Sequence, residues 1–174
     1  MIDLELYQAV HKRIETGDCI LWKSNTIIGK LIRMWSPRFN HVSLALHLTQ
    51  HECLEDRRWM LEALEHGITL TLLSRRLMDF KGEAWLLPVR KEFAHHRPFV
   101  ASWALNNIGV RYDYKSLFQN MLGHVSAEAK SFFCSEFYYM AWCDAMRTDF
   151  GFNHAPRPSD VHRMGIFDNP VRIF

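Results

Sequence analysis

The sequence lacks any apolar run close to the roughly 20 residues that a transmembrane helix requires. Residues 1–18 also lack the apolar core of a signal peptide behind a basic end. These two absences predict no stable membrane insertion and a chain that is cytoplasmic as synthesised.

Neither sign of charge is in large excess, because 21 Lys and Arg residues face 19 Asp and Glu residues for a formal net charge of +2. This balance gives no reason to expect nucleic acid or an anionic membrane as a partner. The cysteines form no CxxC pair and no regular disulfide spacing, which is typical of a reducing compartment. They are Cys19, Cys53, Cys134 and Cys143.

What is present is enough apolar sequence for one packed core: 174 residues, 48% of them hydrophobic, predict a single domain spanning 1–174. Periodicity predicts helices at the two ends of the chain and strands between them, hence an α+β fold with a small, mainly antiparallel sheet. The predicted strands are 19–23, 41–48, 59–64, 68–73 and 83–89; the predicted helices are 4–14, 26–35, 98–109 and 131–146; and the tail from 148 is predicted to be irregular.

Cys134 stands in the aromatic stretch "KSFFCSEFYYMAW". A cysteine in an aromatic helix is more often buried packing than a reactive group. However, the helix predicted over 131–146 puts Cys134 in its first turn, where free N–H groups and the helix dipole stabilise a thiolate. Cys143, late in the same helix, and Cys19, in an apolar strand, are predicted to be core residues.

A thiolate nucleophile needs a base, and the base needs an orienting group. His41 opens an alternating strand directly after the turn "SPRFN", which would place its ring at the end of a sheet. Glu62 lies inside the predicted strand 59–64, whereas Glu65 is closer to the turn and is expected to be solvated. We therefore expect Glu62 to orient the imidazole of His41. The alternative is that His41 is a surface histidine at a strand start.

Six segments in order resemble the permuted papain-like amidases, the YiiX/YaeF-like relatives of NlpC-type cell-wall peptidases. The resemblance spans about residues 16–161, and each segment is weak alone, although six in this order are specific. The segments are "TGDCILW", "LIRMWSPRFNHVSLAL", "LEALEHGITLTLLS", "NNIGVRYDYKSL", "SFFCSEFYY" and "RPSDV".

The resemblance implies a circularly permuted papain-like (NlpC-like) fold with the nucleophile at a helix N-terminus. It implies that Cys134 is the nucleophile, His41 the base and Glu62 the orienting residue. We expect no cofactor and no metal. Tyr112 matches an aromatic position near the nucleophile and is expected to contact substrate. Ser43 and Ala45 depart from the glycine or larger apolar residue found in relatives, which bears on pocket shape.

The expected activity is hydrolysis of an amide bond in a peptide, for instance a cell-wall peptide, through a thioester. A wall substrate would require release by lysis or delivery by a phage or secretion apparatus. One alternative is a lipid acyltransferase or thioesterase, and another is a non-catalytic module that binds a peptide or partner. The aromatic residues around Cys134 are compatible with an acyl group, but core packing is the preferred interpretation: Phe132, Phe133, Phe137, Tyr138 and Trp142.

Other polar clusters receive weaker interpretations. A metal site near His47, His51 and Cys53, or at His95 and His96, is a minor alternative because the spacing falls on a strand end and a loop. Basic residues, Arg38 among them, could meet an anionic substrate, although solvation is their usual role. The segment "RPSDV" is assigned no catalytic role, with Ser159 or Asp160 as a helix cap.

Overall fold

The computed structural model describes residues 5–26, 30, 34, 36–48, 56–64, 67–110, 126–152 and 156–174, without the side chains of 126–133. Tyr112, His51, Cys53, Glu65 and most of the predicted helix 26–35 lie outside the described residues.

Within the described part of the chain, six strands form one sheet in the order β4-β3-β2-β1-β5-β6, with every neighbouring pair antiparallel. The prediction of an α+β fold with a mainly antiparallel sheet is therefore confirmed. The strands are β1 (Cys19–Ser24), β2 (His41–Leu46), β3 (Trp59–Leu64), β4 (Gly67–Leu72), β5 (Gly82–Leu87) and β6 (Val171–Arg172).

The helices cover both faces of the sheet. They are α1 (Glu5–Val10), α2 (Leu73–Met78), α3 (Arg97–Asn106) and α4 (Ser126–Met146), with 3-10 segments at His11–Arg13, Lys91–His96 and Pro158–Met164. Among the described residues, no helix is both long enough and apolar enough to cross a membrane.

Strand alternation divides the buried apolar residues into two clusters, because successive side chains point to opposite sheet faces. Val42 and Leu44 of β2 belong to the cluster that contains α3, α4 and the segment Pro158–Met164. Ala45 of β2 and Trp22 of β1 belong to the cluster that contains α1 and α2. The central strand β2 thus carries core on both sides.

A buried ion pair joins the start of β1 to α3. The carboxylate of Asp18 accepts hydrogen bonds from the backbone N–H groups of Glu15 and Val89, both at 2.9 Å. Arg97 Nη1 donates to the same carboxylate at 2.9 Å. Because burial outweighs these contacts, the pKa of Asp18 is raised above its ordinary value.

Several elements differ from the sequence prediction, among them the following. Residues Leu73–Met78 form α2, although Leu73 was predicted to end a strand, and β6 lies in the tail that was predicted to be irregular. Helix α4 begins at Ser126, five residues before the predicted start, and ends at Met146 as predicted.

Candidate active site

His41 of β2 and Glu62 of β3 lie diagonally across neighbouring strands. β2 and β3 pair antiparallel with Leu44 opposite Leu61, so the residues one step away, Ser43 and Glu62, are also adjacent. His41 Nε2 lies 2.8 Å from Glu62 Oε1. The Glu62 side chain is 2% exposed and that of His41 is 19% exposed, so the histidine is the member of the pair that reaches the surface.

Glu62 also accepts hydrogen bonds from two other side chains. Ser43 Oγ donates to Glu62 Oε1 at 3.3 Å and in turn accepts a 2.7 Å hydrogen bond from Trp22 Nε1. From α2, Arg76 Nε donates to Glu62 Oε2 at 3.3 Å. Both carboxylate oxygens therefore have donors, which is the arrangement that a buried carboxylate requires.

These contacts change the pKa values of Glu62 and His41. Burial by itself raises the pKa of Glu62, but the hydrogen bonds and charges of His41 and Arg76 outweigh it and hold the pKa below its ordinary value. Burial likewise lowers the pKa of His41, but the interactions with Cys134 and with the Glu62 carboxylate outweigh that effect and raise it to about 10. The imidazole is accordingly held in its protonated form at neutral pH.

Cys134 is 1% exposed and makes a side-chain hydrogen bond with His41. Since Nε2 of His41 contacts Glu62, Nδ1 is the ring nitrogen available to the sulfur. The structure thus brings together the three residues proposed from the sequence in the order sulfur, imidazole, carboxylate. The same arrangement of roles is what an activated thiol nucleophile requires.

The position of Cys134 in its helix differs from the prediction. Because α4 begins at Ser126, Cys134 is an interior residue, and its backbone N–H is committed to the helix rather than free in the first turn. The predicted stabilisation of the thiolate by the helix start does not apply at this position. The partner that remains for the thiol is His41.

The other described cysteines behave differently from one another. Cys19 is fully buried, as predicted, and burial together with the nearby Cys134 and Asp18 raises the pKa of its thiol well above the ordinary value. Cys143 was predicted to be core, but it is only partly buried and contacts Tyr139. Phe137, Tyr138 and Trp142 are fully or almost fully buried in the core, in agreement with the packing interpretation.

A serine clamp holds the loop that leads to His41. Ser159 Oγ accepts hydrogen bonds from the backbone N–H groups of Arg38 at 3.0 Å and Phe39 at 2.9 Å. Ser159 N donates to Ser36 Oγ at 3.0 Å. The prediction that Ser159 or Asp160 caps a helix is therefore wrong, since the Ser159 side chain binds the loop and the segment Pro158–Met164 has no side-chain cap.

The described residues contain no group of three His, Cys, Asp or Glu side chains that could hold a metal ion. His47 Nδ1 lies 3.1 Å from Glu15 Oε2, and His51 and Cys53 lie outside the described residues. The rings of His95 and His96 are 4.0 Å apart, centroid to centroid. Tyr112, the expected substrate contact, also lies outside the description.

Sequence reasoning missed Arg76 and underestimated Ser43. A signal existed for Ser43, because it alternates with His41 along the same strand and therefore shares its face. No comparable signal existed for Arg76, which belongs to a helix that was not predicted.

No protein-family model matches the sequence, and no curated protein matches it either. The fold is similar to the crystal structure of the metalloprotein YiiX from Escherichia coli O157:H7, with a TM-score of 0.56 and 19% sequence identity. The similarity covers 79% of this chain and 69% of the YiiX chain. At this identity the similarity concerns the fold alone, and it supports the YiiX-like part of the predicted resemblance.

Proposed function

We propose that the chain is a cysteine-dependent hydrolase of the permuted papain-like type that cleaves an amide bond in a peptide. The observation that supports this most strongly is that His41 is hydrogen-bonded at once to Cys134 and to Glu62. A histidine between a thiol and a buried carboxylate is suited to proton transfer at the sulfur and at a leaving group.

In the proposed reaction the Cys134 thiolate attacks the acyl carbon and forms a C–S bond. His41, held protonated beside Glu62, donates its proton to the leaving amine as the C–N bond breaks. A water molecule then gives its proton to His41 and attacks the acyl carbon of the thioester, and the C–S bond breaks. This releases the acid and restores the Cys134 thiolate beside protonated His41. An ester or thioester would react by the same steps, so the lipid acyltransferase or thioesterase alternative uses the same residues.

The first test measures whether Cys134 is reactive. Native protein is treated with limiting iodoacetamide from pH 5 to 8, and each labelled cysteine is identified by peptide mass spectrometry. We expect Cys134 to label well ahead of the other cysteines at mildly acidic pH, because its partner His41 remains charged there. His41→Ala should lose that advantage, whereas the matched control His95→Ala, at an exposed position, should keep it.

Turnover is then measured with a panel of peptide amides, acyl esters and thioesters. Cys134→Ala should lower the rate on every substrate that the wild type cleaves by about 10³-fold or more, with an unchanged circular dichroism spectrum. An inert Cys134 in native protein, with no turnover of any substrate, would favour the non-catalytic binding module. Full turnover by the alanine variant would instead show that Cys134 is not the nucleophile. Because YiiX is described as a metalloprotein, the purified protein is also assayed for zinc, and stoichiometric zinc would favour the metal alternative.

A further inference from the structure

Arg76 approaches the candidate site from α2, the helix that follows β4 directly. Its Nε donates to Glu62 Oε2 at 3.3 Å, while Glu62 Oε1 lies 2.8 Å from His41 Nε2. The two oxygens of one carboxylate thus bind different partners, with Oε2 on the guanidinium and Oε1 left for the imidazole. A carboxylate held at both oxygens has little freedom to rotate away from His41.

Two aromatic rings hold the guanidinium of Arg76 in place. Its carbon Cζ lies 5.4 Å from the centroid of the Trp22 ring and 5.6 Å from that of the Phe80 ring, within the range of a cation–π interaction. The two rings pack edge to face, with centroids 4.7 Å apart. The side chain of Arg76 is 34% exposed, so its position is fixed by these contacts rather than by deep burial.

Arg76 supplies a constant positive charge beside Glu62. Among the described residues, the charged or titratable groups that act on Glu62 are His41 of β2 and Arg76 of α2, and Cys134 of α4 lies beyond His41. The cross-strand neighbour on β4, Thr69, carries no charge. His41 gains and loses a proton in the proposed reaction, whereas an arginine stays charged throughout.

The burial of Glu62 makes this constant charge necessary. Burial raises the pKa of the carboxyl group, and the contacts of His41 and Arg76 hold it below its ordinary value of 4.5. Without Arg76 the balance moves toward burial, and the carboxyl group binds a proton at a higher pH. A protonated Glu62 has no charge to offer the imidazolium, so the charge-assisted hydrogen bond to His41 is lost.

We propose that Arg76 is a positioning residue of the candidate site: it keeps the Glu62 carboxylate charged and turned toward His41, and so sets the lowest pH at which the site works. Arg76 acts through Glu62 and touches no reacting atom. The effect on turnover rests on the proposed hydrolase function, whereas the effect on the Glu62 carboxylate does not.

The first test follows the Glu62 carboxyl group by NMR of protein labelled with ¹³C in the glutamate side chains, from pH 3 to 8. The Glu62 signal is identified by its absence in Glu62→Gln. We expect Glu62 to bind its proton at a higher pH in Arg76→Gln than in wild type. Arg76→Lys should stay close to wild type because it keeps the positive charge. Arg75→Gln, at an exposed position on the same helix, is the matched control and should titrate as wild type does.

The second test measures kcat/KM at pH 5 and pH 8 on the best peptide substrate found. Arg76→Gln should be about tenfold slower than wild type at pH 5, as expected for the loss of one charge-assisted hydrogen bond. At pH 8 it should be close to wild type, since Glu62 is charged in both proteins. Glutamine keeps a polar group beside Glu62, so the variant is expected to fold, and urea denaturation measures any loss of stability separately.

An arginine that only stabilises the fold would lower stability without changing either pH dependence. A Glu62 titration that is the same in Arg76→Gln and Arg75→Gln would therefore overturn the positioning role, even if wild type hydrolyses peptides. A Glu62 titration that moves with Arg76, in a protein that turns over no substrate, would overturn only the proposed hydrolase. The two failures are thus distinguishable.

Discussion

Two buried carboxylates, Asp18 and Glu62, share almost every local property. Each is 1% exposed, and each contacts one guanidinium, from Arg97 at 2.9 Å and from Arg76 at 3.3 Å respectively. Yet the pKa of Asp18 is raised and that of Glu62 is lowered from their ordinary values. Burial and ion pairing alone therefore do not indicate which carboxylate belongs to a functional site.

The two carboxylates differ in the groups that their hydrogen-bond partners contact in turn. The partners of Asp18 belong to the frame: two backbone N–H groups and Arg97, which itself donates to the backbone carbonyls of Thr16 and Val89. Glu62 instead contacts an imidazole that reaches the surface and is hydrogen-bonded to a thiol. The contacts of Asp18 therefore lead to backbone groups, which do not titrate. Those of Glu62 lead to the imidazole of His41 and the thiol of Cys134, which are able to exchange protons.

The largest effect that we expect at either carboxylate is the loss of stability in Asp18→Ala. Truncation leaves Arg97, 16% exposed in its side chain, and two backbone N–H groups without their acceptor. Breaking a buried pair in this way costs about 3–5 kcal/mol of unfolding free energy, measured by urea denaturation. Asp160→Ala, which removes an exposed carboxylate 4.0 Å from Arg163, should change stability by less than about 0.5 kcal/mol. Equal effects of the two variants would remove the structural role of Asp18.

A smaller effect is expected at the candidate site, and it should appear in rate. His41→Ala should lower turnover by about 10²–10⁴-fold, because it removes the base. Glu62→Gln should lower it by only about 10–100-fold, since the imidazole remains but loses its anionic partner. The comparison uses kcat/KM on the best substrate of the panel. A Glu62→Gln variant as inactive as His41→Ala would give the carboxylate more than an orienting role.

The smallest effect is a difference in the pH dependence of stability. The lowered pKa of Glu62 means that its carboxylate stabilises the fold above its ordinary value of 4.5, and that this stability is lost as pH falls through the folded pKa. The raised pKa of Asp18 has the opposite sign, since the folded state binds a proton more readily than the unfolded chain. Its contribution declines as pH rises from 3.8 through the folded value.

Urea unfolding of wild type, Glu62→Gln and Asp18→Asn from pH 3 to 7 distinguishes the contribution of Glu62 from that of Asp18. The stability advantage of wild type over Glu62→Gln should grow with pH, and that over Asp18→Asn should shrink. Two advantages that change in the same direction would contradict the assigned pKa directions.

Much of the sheet was predictable because its signals are local. His41–Leu46 alternates apolar residues with His, Ser and Ala, and Trp59–Leu64 is a short, mostly apolar run; both strands lie where these patterns placed them. In contrast, β6 has two residues and no pattern, and α2 follows β4 without a capping signal, so neither was predicted. The early start of α4 was missed because the apolar pattern begins only near residue 131.

The sequence by itself indicated Cys134, His41 and Glu62, since residue type and position on predicted elements limit the choice of nucleophile, base and orienting group. Only the tertiary structure brought Arg76 and Ser43 to Glu62, and the serine clamp of Ser159 to the loop before His41. It also removed the helix-start argument for Cys134. The physical reason is that periodicity is set by near neighbours, whereas these contacts join residues that only the packed sheet and helices bring together.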